Sequence, residues 1–395
     1  MRPDGQPPAR RRGMVGRDPG EPHRASTPLE LLFDLCFVVA VAQASEGLLE
    51  ALSHGTYATG FLSFALVFFT IWWAWMNFTW FASAYDVDDV PYRLLVLIQI
   101  TGSLVLAAGV PRAFDGGDLR VVTVGYVLLR TALAASWVRA ACSDPARRTT
   151  TLRFAAGVTL CQGGWVCLLA LPTAARLPGM ALLIVAEVSV PVWAQSAGMT
   201  PWHPRHISER YGLFTLIVIG ESVAATTLAV QSAFARHQGT AALAAVAAGG
   251  LCTAFAMWWL YFDEPAHTLL ETTHRFHRRR FTWAYGHYLV FASAAAEGAG
   301  LSAYAEHVTT GPGTPPLAAA AAVTVPAAVF LTVVWSVHLR PHQRSAAQGA
   351  PYPVVAAGIL LSTWSPAPAL AVGALLAALV VLLTARRRPA RAPAA

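Results

Sequence analysis

Lysine is absent from this 395-residue chain, and charge of either sign is scarce, at 12% of residues. An ordinary soluble domain carries roughly 25% and needs that much to cover its surface. A soluble globular class is therefore excluded. Motifs of soluble enzymes are missing as well: there is no Walker loop, dinucleotide fingerprint, nucleophile elbow or zincin helix. Cysteine is sparse, and Cys36, Cys142, Cys161, Cys167 and Cys252 show no metal-type spacing. Cys161 and Cys167 fall on different faces of one predicted helix. The cysteines read as small apolar packing residues, with neither a disulfide framework nor a zinc site.

What the chain has instead is apolar sequence, 55% of all residues. It comes in blocks of about 20, the length that crosses a hydrocarbon core of roughly 30 Å. Candidate spans fall at 28–48, 57–80, 92–111, 119–141, 153–171 and 178–197, then at 208–231, 240–262, 281–301, 316–339, 352–364 and 367–385. The fold class that follows is all-α, a polytopic integral membrane protein of about 12 transmembrane helices. The segment 352–364 is the weakest, short and bracketed by Pro351, Pro353, Pro366 and Pro368. Crossing fully there keeps the basic C-terminus on the same side as the N-terminus.

Arginine orients the chain. With a cytoplasmic N-terminus, inside segments hold 23 of the 28 arginines, outside loops hold 4, and Arg130 lies within a span. That bias predicts a multipass cell-membrane protein with both termini cytoplasmic. It also explains the net charge of +7 through contact with an anionic leaflet; no nucleic-acid partner is expected. Residues 1–26, rich in Arg, Pro and Gly, read as a disordered cytoplasmic tail. Arg10-Arg11-Arg12 is not followed by the apolar stretch of an export signal.

The two halves echo each other. Glu30 opens the first span and Glu209 the seventh, 179 positions later; Trp72-Trp73 answers to Trp258-Trp259, 186 positions later. The expectation is two parallel six-helix repeats, 27–200 and 201–385, followed by a short basic tail, 386–395.

At these residues the sequence resembles the bacterial low temperature requirement protein A family. The matching stretches are TPLELLFDLCFVVAVAQ (27–43), WWAWMNFTWFASAYDVDDVPYRLL (72–95), HISERYGLFTLIVIGES (206–222), WWLYFDE (258–264) and WAYGHYLVF (283–291). The resemblance implies a multipass membrane protein required for growth in the cold. It supplies no catalytic residues, no cofactor and no substrate.

Acids within spans cost about 2.5–3.5 kcal/mol on insertion scales and so ask for a purpose. Glu221, midway along span 7 beside Gly220, and Asp34, one turn beyond Glu30, are the leading transport or coupling candidates. Glu30 also completes a capping box, Thr27-Pro28-Leu29-Glu30. Glu209, Asn77 and Asp263 join the transport set, with Asn77 beside the Trp72–Trp75 aromatics as a polar contact for a ligand. Arg130 and Glu187 read as a structural ion pair. Glu46 and Glu297 lie toward outer span ends, within reach of water. Asp86, Asp88 and Asp89 form an acidic inner loop that could attract a cation or hold basic loops. Glu271, His274 and His277 match no closed zinc pattern, so no metal site is assigned.

The functional expectation is a secondary transporter of an unknown small solute or ion, using membrane-buried acids. The alternatives are an integral membrane enzyme or lipid-related factor, and a non-catalytic sensor or partner protein. The expected surroundings are the lipid bilayer and that solute. Runs of small residues, Ala241 to Gly250 and Ala318 to Ala322, suit close helix packing within the chain or in a homo-oligomer.

Overall fold

The computed structural model describes residues 12–18, 20, 21, 24–235, 241–272, 277–310, 316–343 and 345–386. Among them every regular element is helical. In chain order these are α1 (Pro28–Ser53), α2 (Tyr57–Tyr85), α3 (Val90–Gly116), α4 (Arg120–Ser143), α5 (Arg148–Leu168), α6 (Thr173–Gln195) and α7 (Pro204–Ala235). There follow α8 (Ala241–Phe262), α9 (Ala266–Thr272), α10 (His277–Thr310), α11 (Pro316–Val334), α12 (Ala346–Gly349), α13 (Pro351–Leu361) and α14 (Pro368–Arg386).

Local chemistry sets the helix ends. At α1 the Thr27 backbone N–H donates to the Glu30 carboxylate at 2.7 Å, and the Glu30 N–H donates back to the Thr27 hydroxyl at 3.3 Å. Proline follows the cap directly, where its missing N–H costs nothing. At α3 the Asp89 carboxylate accepts from the Tyr92 N–H at 3.0 Å. That helix closes on Gly117, whose φ of 64° suits a residue without a side chain.

Among the described residues, nine segments are long and apolar enough to cross a membrane: α1 to α4, α6, α7, Ala241–Glu271, Pro316–His342 and α14. The other expected spans are helical too, but differ in length or polarity. Helix α5 begins with Arg148 and carries Arg153, whereas α10 runs 34 residues and extends beyond the expected span end at 301 to Thr310. Helix α13 has 11 residues, a rise of about 16 Å, roughly half a bilayer core.

The chain divides into two compact units, Met1–Ala44 with Leu66–Leu213, and Ser45–Ala65 with Phe214–Ala395. In the first unit α3, α4, α5 and α6 pack in succession. Glycine governs the α3–α4 contact: a Cβ on Gly102 would sit 2.8 Å from the Gly125 carbonyl oxygen, and one on Gly125 would strike the Leu106 backbone. In the second unit α8 packs on α14 and α10 on α11. A Cβ on Gly249 there would meet the Ala369 backbone, and one on Gly300 the Ala322 carbonyl. Such backbone approaches replace the hydrophobic drive that lipid removes.

The expected 1–26 tail lies outside the described residues over 1–11. Beyond it, residues 12–18 and 24–27 form no regular element yet are packed in the first unit. Met14 is wholly buried, and the Arg17 N–H donates to the Ala84 carbonyl at 3.0 Å.

Gly125→Leu is expected to lower the thermal unfolding midpoint of the detergent-solubilised protein, by overpacking worth about 1–3 kcal/mol or more. Gly163→Ala, where a Cβ meets nothing within 4 Å, is the matched control and should not lower it. An unchanged midpoint for Gly125→Leu would remove the close-approach account of α3 and α4.

Candidate functional site

In the first unit, the Arg24 guanidinium donates to the carbonyls of Ala82, at 2.6 Å, and Ser83. Both carbonyls lie in the last turn of α2, so a cation sits where the helix end is negative. The same guanidinium lies 3.7 Å from Glu30 and 3.8 Å from Asp86. From α7, Arg210 closes on the α1 acids from the other side. Its Nε donates to Asp34 Oδ2 at 2.8 Å and its Nη2 to Asp34 Oδ1 at 2.6 Å, a two-pronged contact. Its Nη1 stands 3.2 Å from Glu30 Oε1, and the Phe78 ring lies 5.8 Å from its centre. The Trp75 indole N–H donates to Asp34 at 2.7 Å. His206, one turn before Arg210, places Nε2 3.1 Å from Glu30 Oε1.

Burial here is almost complete: Glu30, His206 and Arg210 are 0% exposed, Asp34 1%, Arg24 5% and Asp86 8%. Several polar atoms are crowded together without a hydrogen-bond partner. They are Glu30 Oε1, both His206 ring nitrogens, Arg210 Nη1, Arg24 Nε and the Tyr92 hydroxyl. His206 Nε2 is the nearest cationic nitrogen to Glu30 Oε1, ahead of Arg210 Nη1 and Arg24 Nη2. Such atoms are costly to bury unmade. They mark a place where protons or a small polar ligand can rearrange.

The acidic loop of the sequence is sorted onto arginines. Asp88 pairs with Arg93 at 2.7 Å, Asp89 with Arg139, and Asp86 with Arg24 and with Arg17 at 3.6 Å. Burial first, then the Glu30 charge, pushes the Asp86 carboxyl up to about 6, against the pull of Arg24 and Arg17. Burial likewise lowers the Arg24 guanidinium, while Glu30 sustains its charge.

Arg130 and Glu187 form a second buried cluster, joined at 2.6 Å. Glu187 also accepts from Trp73 Nε1 at 2.8 Å, the Tyr126 hydroxyl at 3.1 Å and Gln162 Nε2 at 3.3 Å. One carboxylate thus ties α2, α4, α5 and α6. Asn77 is buried, and its amide donates within its own helix to the Trp73 carbonyl at 2.8 Å. Glu209 is exposed and accepts from the Ser26 N–H at 3.2 Å.

In the second unit Glu221 is half-buried, with Glu46 the charged group acting on it, and Asp263 is half-buried just past the end of α8. Glu297 was expected near water, but it is 2% exposed and neither oxygen has a hydrogen-bond partner. Trp258 and Trp259 are 44% and 45% exposed, whereas Trp72 and Trp73 are buried. His274 lies outside the described residues. Among those described, no group of three or more His, Cys, Asp or Glu could hold a metal ion.

Sequence reasoning missed Arg210, His206 and Arg24, and gave the indole groups of Trp73 and Trp75 no hydrogen-bonding role. The signal was present in the spacing. Arg210 shares the buried stripe of Ile207, Tyr211, Phe214 and Val218, whereas its neighbour Glu209 falls off it.

Long apolar helices that bury ion-paired clusters such as Arg210–Asp34 and Arg130–Glu187 define a multipass membrane protein. The chain belongs to the bacterial low temperature requirement A protein family, whose model matches residues 25–385. It is similar to an uncharacterised protein of Rhizobium meliloti, 28% identical over 277 residues, 67% of this chain. The chain spans 65% of that relative's length. No solved structure matches it.

The Asp86 carboxyl, raised from 3.8 to about 6, binds its proton more tightly in the folded protein. Stability from that proton is full below about 4 and is lost as pH rises through about 6, up to about 3 kcal/mol. Melting curves from pH 4 to 7 are expected to show this loss in wild type and not in Asp86→Asn. Parallel pH profiles for the two would refute it.

Proposed function

We propose that the protein is a secondary transporter of a small solute or ion in the cell membrane, with both termini cytoplasmic. Glu30 and His206 are its proton-exchanging pair. One observation carries the reading: a fully buried carboxylate is flanked at 3.1, 3.2 and 3.7 Å by His206, Arg210 and Arg24, with unpartnered polar atoms on every side.

Charge counting supports it. The buried members hold three carboxylates (Glu30, Asp34, Asp86) against two guanidinium groups (Arg24, Arg210), so protonating His206 balances the set. Imidazole can take up and release a proton within the physiological range of side-chain chemistry, which suits His206 to a one-proton exchange with Glu30. Asp34, held by both prongs of Arg210, anchors the cluster and fixes the arginine that Glu30 shares. Proton-linked carriers of this kind use intramembrane ionisable groups in the protein interior. The arginine bias supports the orientation. Need for such a carrier in the cold is consistent with the family's name.

Proteoliposomes with a trapped pH indicator test it, using sodium, potassium and a panel of organic solutes. Wild type should couple solute movement to protons. Glu30→Gln and His206→Gln should lose the coupled proton flux, while Glu209→Gln keeps it. Asp34→Asn combined with Glu221→Gln separates anchoring from coupling: coupled flux surviving that pair would exclude both acids as carriers. Full flux in folded Glu30→Gln would overturn the assignment, and no flux with any solute would overturn the transporter reading.

A further inference from the structure

A second feature stands apart, in the other unit and on other chemistry. Helices α7, α8 and α10 enclose a cavity of about 360 Å³. Its wall is almost wholly apolar, with Val223 and Phe234 from α7, Leu251 from α8 and Leu301 from α10. Phe234 and Leu251 are 63% and 47% exposed, so the cavity opens at the apolar surface. Only two buried polar groups in its lining lack partners: the Glu297 carboxylate and the Thr253 hydroxyl. Ser222, Thr226 and Thr227 line it too, but their hydroxyls are spent on helix carbonyls of Ala294, Ser222 and Val223, each at 2.8 Å.

Among the described residues Glu297 has no ion-pair partner, and neither of its oxygens is hydrogen-bonded. Close helix packing explains this isolation. A Cβ on Gly298 would stand 2.6 Å from the Ser222 backbone, and one on Gly300 would hit the Ala322 carbonyl. Water is thereby kept from the carboxylate on those sides.

We propose that this cavity is a binding site for a lipophilic amine, its ammonium group on Glu297 with Thr253 beside it and its hydrocarbon body against the apolar wall. The site's composition selects this class. A bare carboxylate in such a place costs several kcal/mol, and a cation brought by the ligand offsets that cost. A hard metal ion is disfavoured because it wants about six oxygen ligands, and the buried unpartnered lining offers one carboxylate and one hydroxyl, with the exposed Gln231 amide at the rim. An acidic ligand would face like charge. The opening through Leu251 and Phe234 admits a ligand already dissolved in the bilayer.

The test is equilibrium binding to the full-length protein in nanodiscs, with 1-aminoadamantane as probe and 1-adamantanol and adamantane-1-carboxylate as matched neutral and anionic controls. It does not depend on transport, so it stands or falls separately from the carrier reading. The amine should bind saturably and more tightly than either control. Glu297→Gln should weaken the amine about 30-fold or more, the scale of truncating one partner of a buried charge pair, and leave adamantanol little changed. Gly250→Val places a side chain between Leu301 and Thr226, 3.1 and 3.6 Å from its Cβ, and should weaken amine and alcohol alike. Melting curves establish that each variant is folded. Absence of saturable amine binding by wild type overturns the proposal. So does equal affinity for amine and alcohol, or an amine affinity that folded Glu297→Gln retains.

Discussion

The two-pronged grip of Arg210 on Asp34 is the interaction on which the first unit's interior depends. Neither charge could be buried alone, since an isolated ion in a low-dielectric interior costs far more than a fold's net stability. Once Arg210 is there, its remaining nitrogen reaches Glu30, and Glu30 in turn faces Arg24, which caps α2 and faces Asp86. The segment before α1 is thereby tied to α2 and α7, without a regular element of its own. This chain of contacts explains why Arg24, in a stretch that looks like an extramembrane tail by composition, is buried.

Indole groups complete the same logic. Trp73 and Trp75, two positions apart on α2, donate to different buried acids, Glu187 and Asp34. Two residues apart on a helix is roughly 200° of rotation, so one helix serves two clusters on nearly opposite faces. A buried tryptophan N–H needs an acceptor, and a buried carboxylate paired with one arginine still has lone pairs that need donors. Each need meets the other. The aromatic density of α2 therefore supplies hydrogen bonds as well as apolar surface.

Much of this was legible from the chain alone, because composition and block length fix the class and helix caps fix local ends. The capping box at Thr27 and Glu30 and the Arg130–Glu187 contact were both within reach of spacing arguments. What escaped depended on rotation about a helix axis rather than on position along it. Glu209 and Arg210 are neighbours, yet one faces out and the other is sealed in; only the buried stripe through Ile207, Phe214 and Val218 separates them. Glu297 escaped for a related reason. Depth along α10 suggested water, but the small residues around it, Ala294 to Gly300, let neighbouring backbones close over it. Small-residue runs beside an acid are a sign of tight cover, and distance from a span end is a poorer guide.

Set side by side, the two units treat buried acid in opposite ways. In the first unit's cluster around Arg210, the buried carboxylates Glu30, Asp34 and Asp86 face the buried guanidinium groups of Arg24 and Arg210, one positive charge short, which a proton on His206 would supply. In the second, one carboxylate has no counter-charge at all and borders a cavity. A compensated cluster can change its charge state without unfolding, because the added proton restores neutrality. An uncompensated acid restores neutrality only by taking a proton or a cationic partner. The first arrangement suits exchange of protons within the protein and the second suits capture of something from outside it. A helical membrane protein that pays to bury both has kept two distinct chemical capacities, and neither follows from the other.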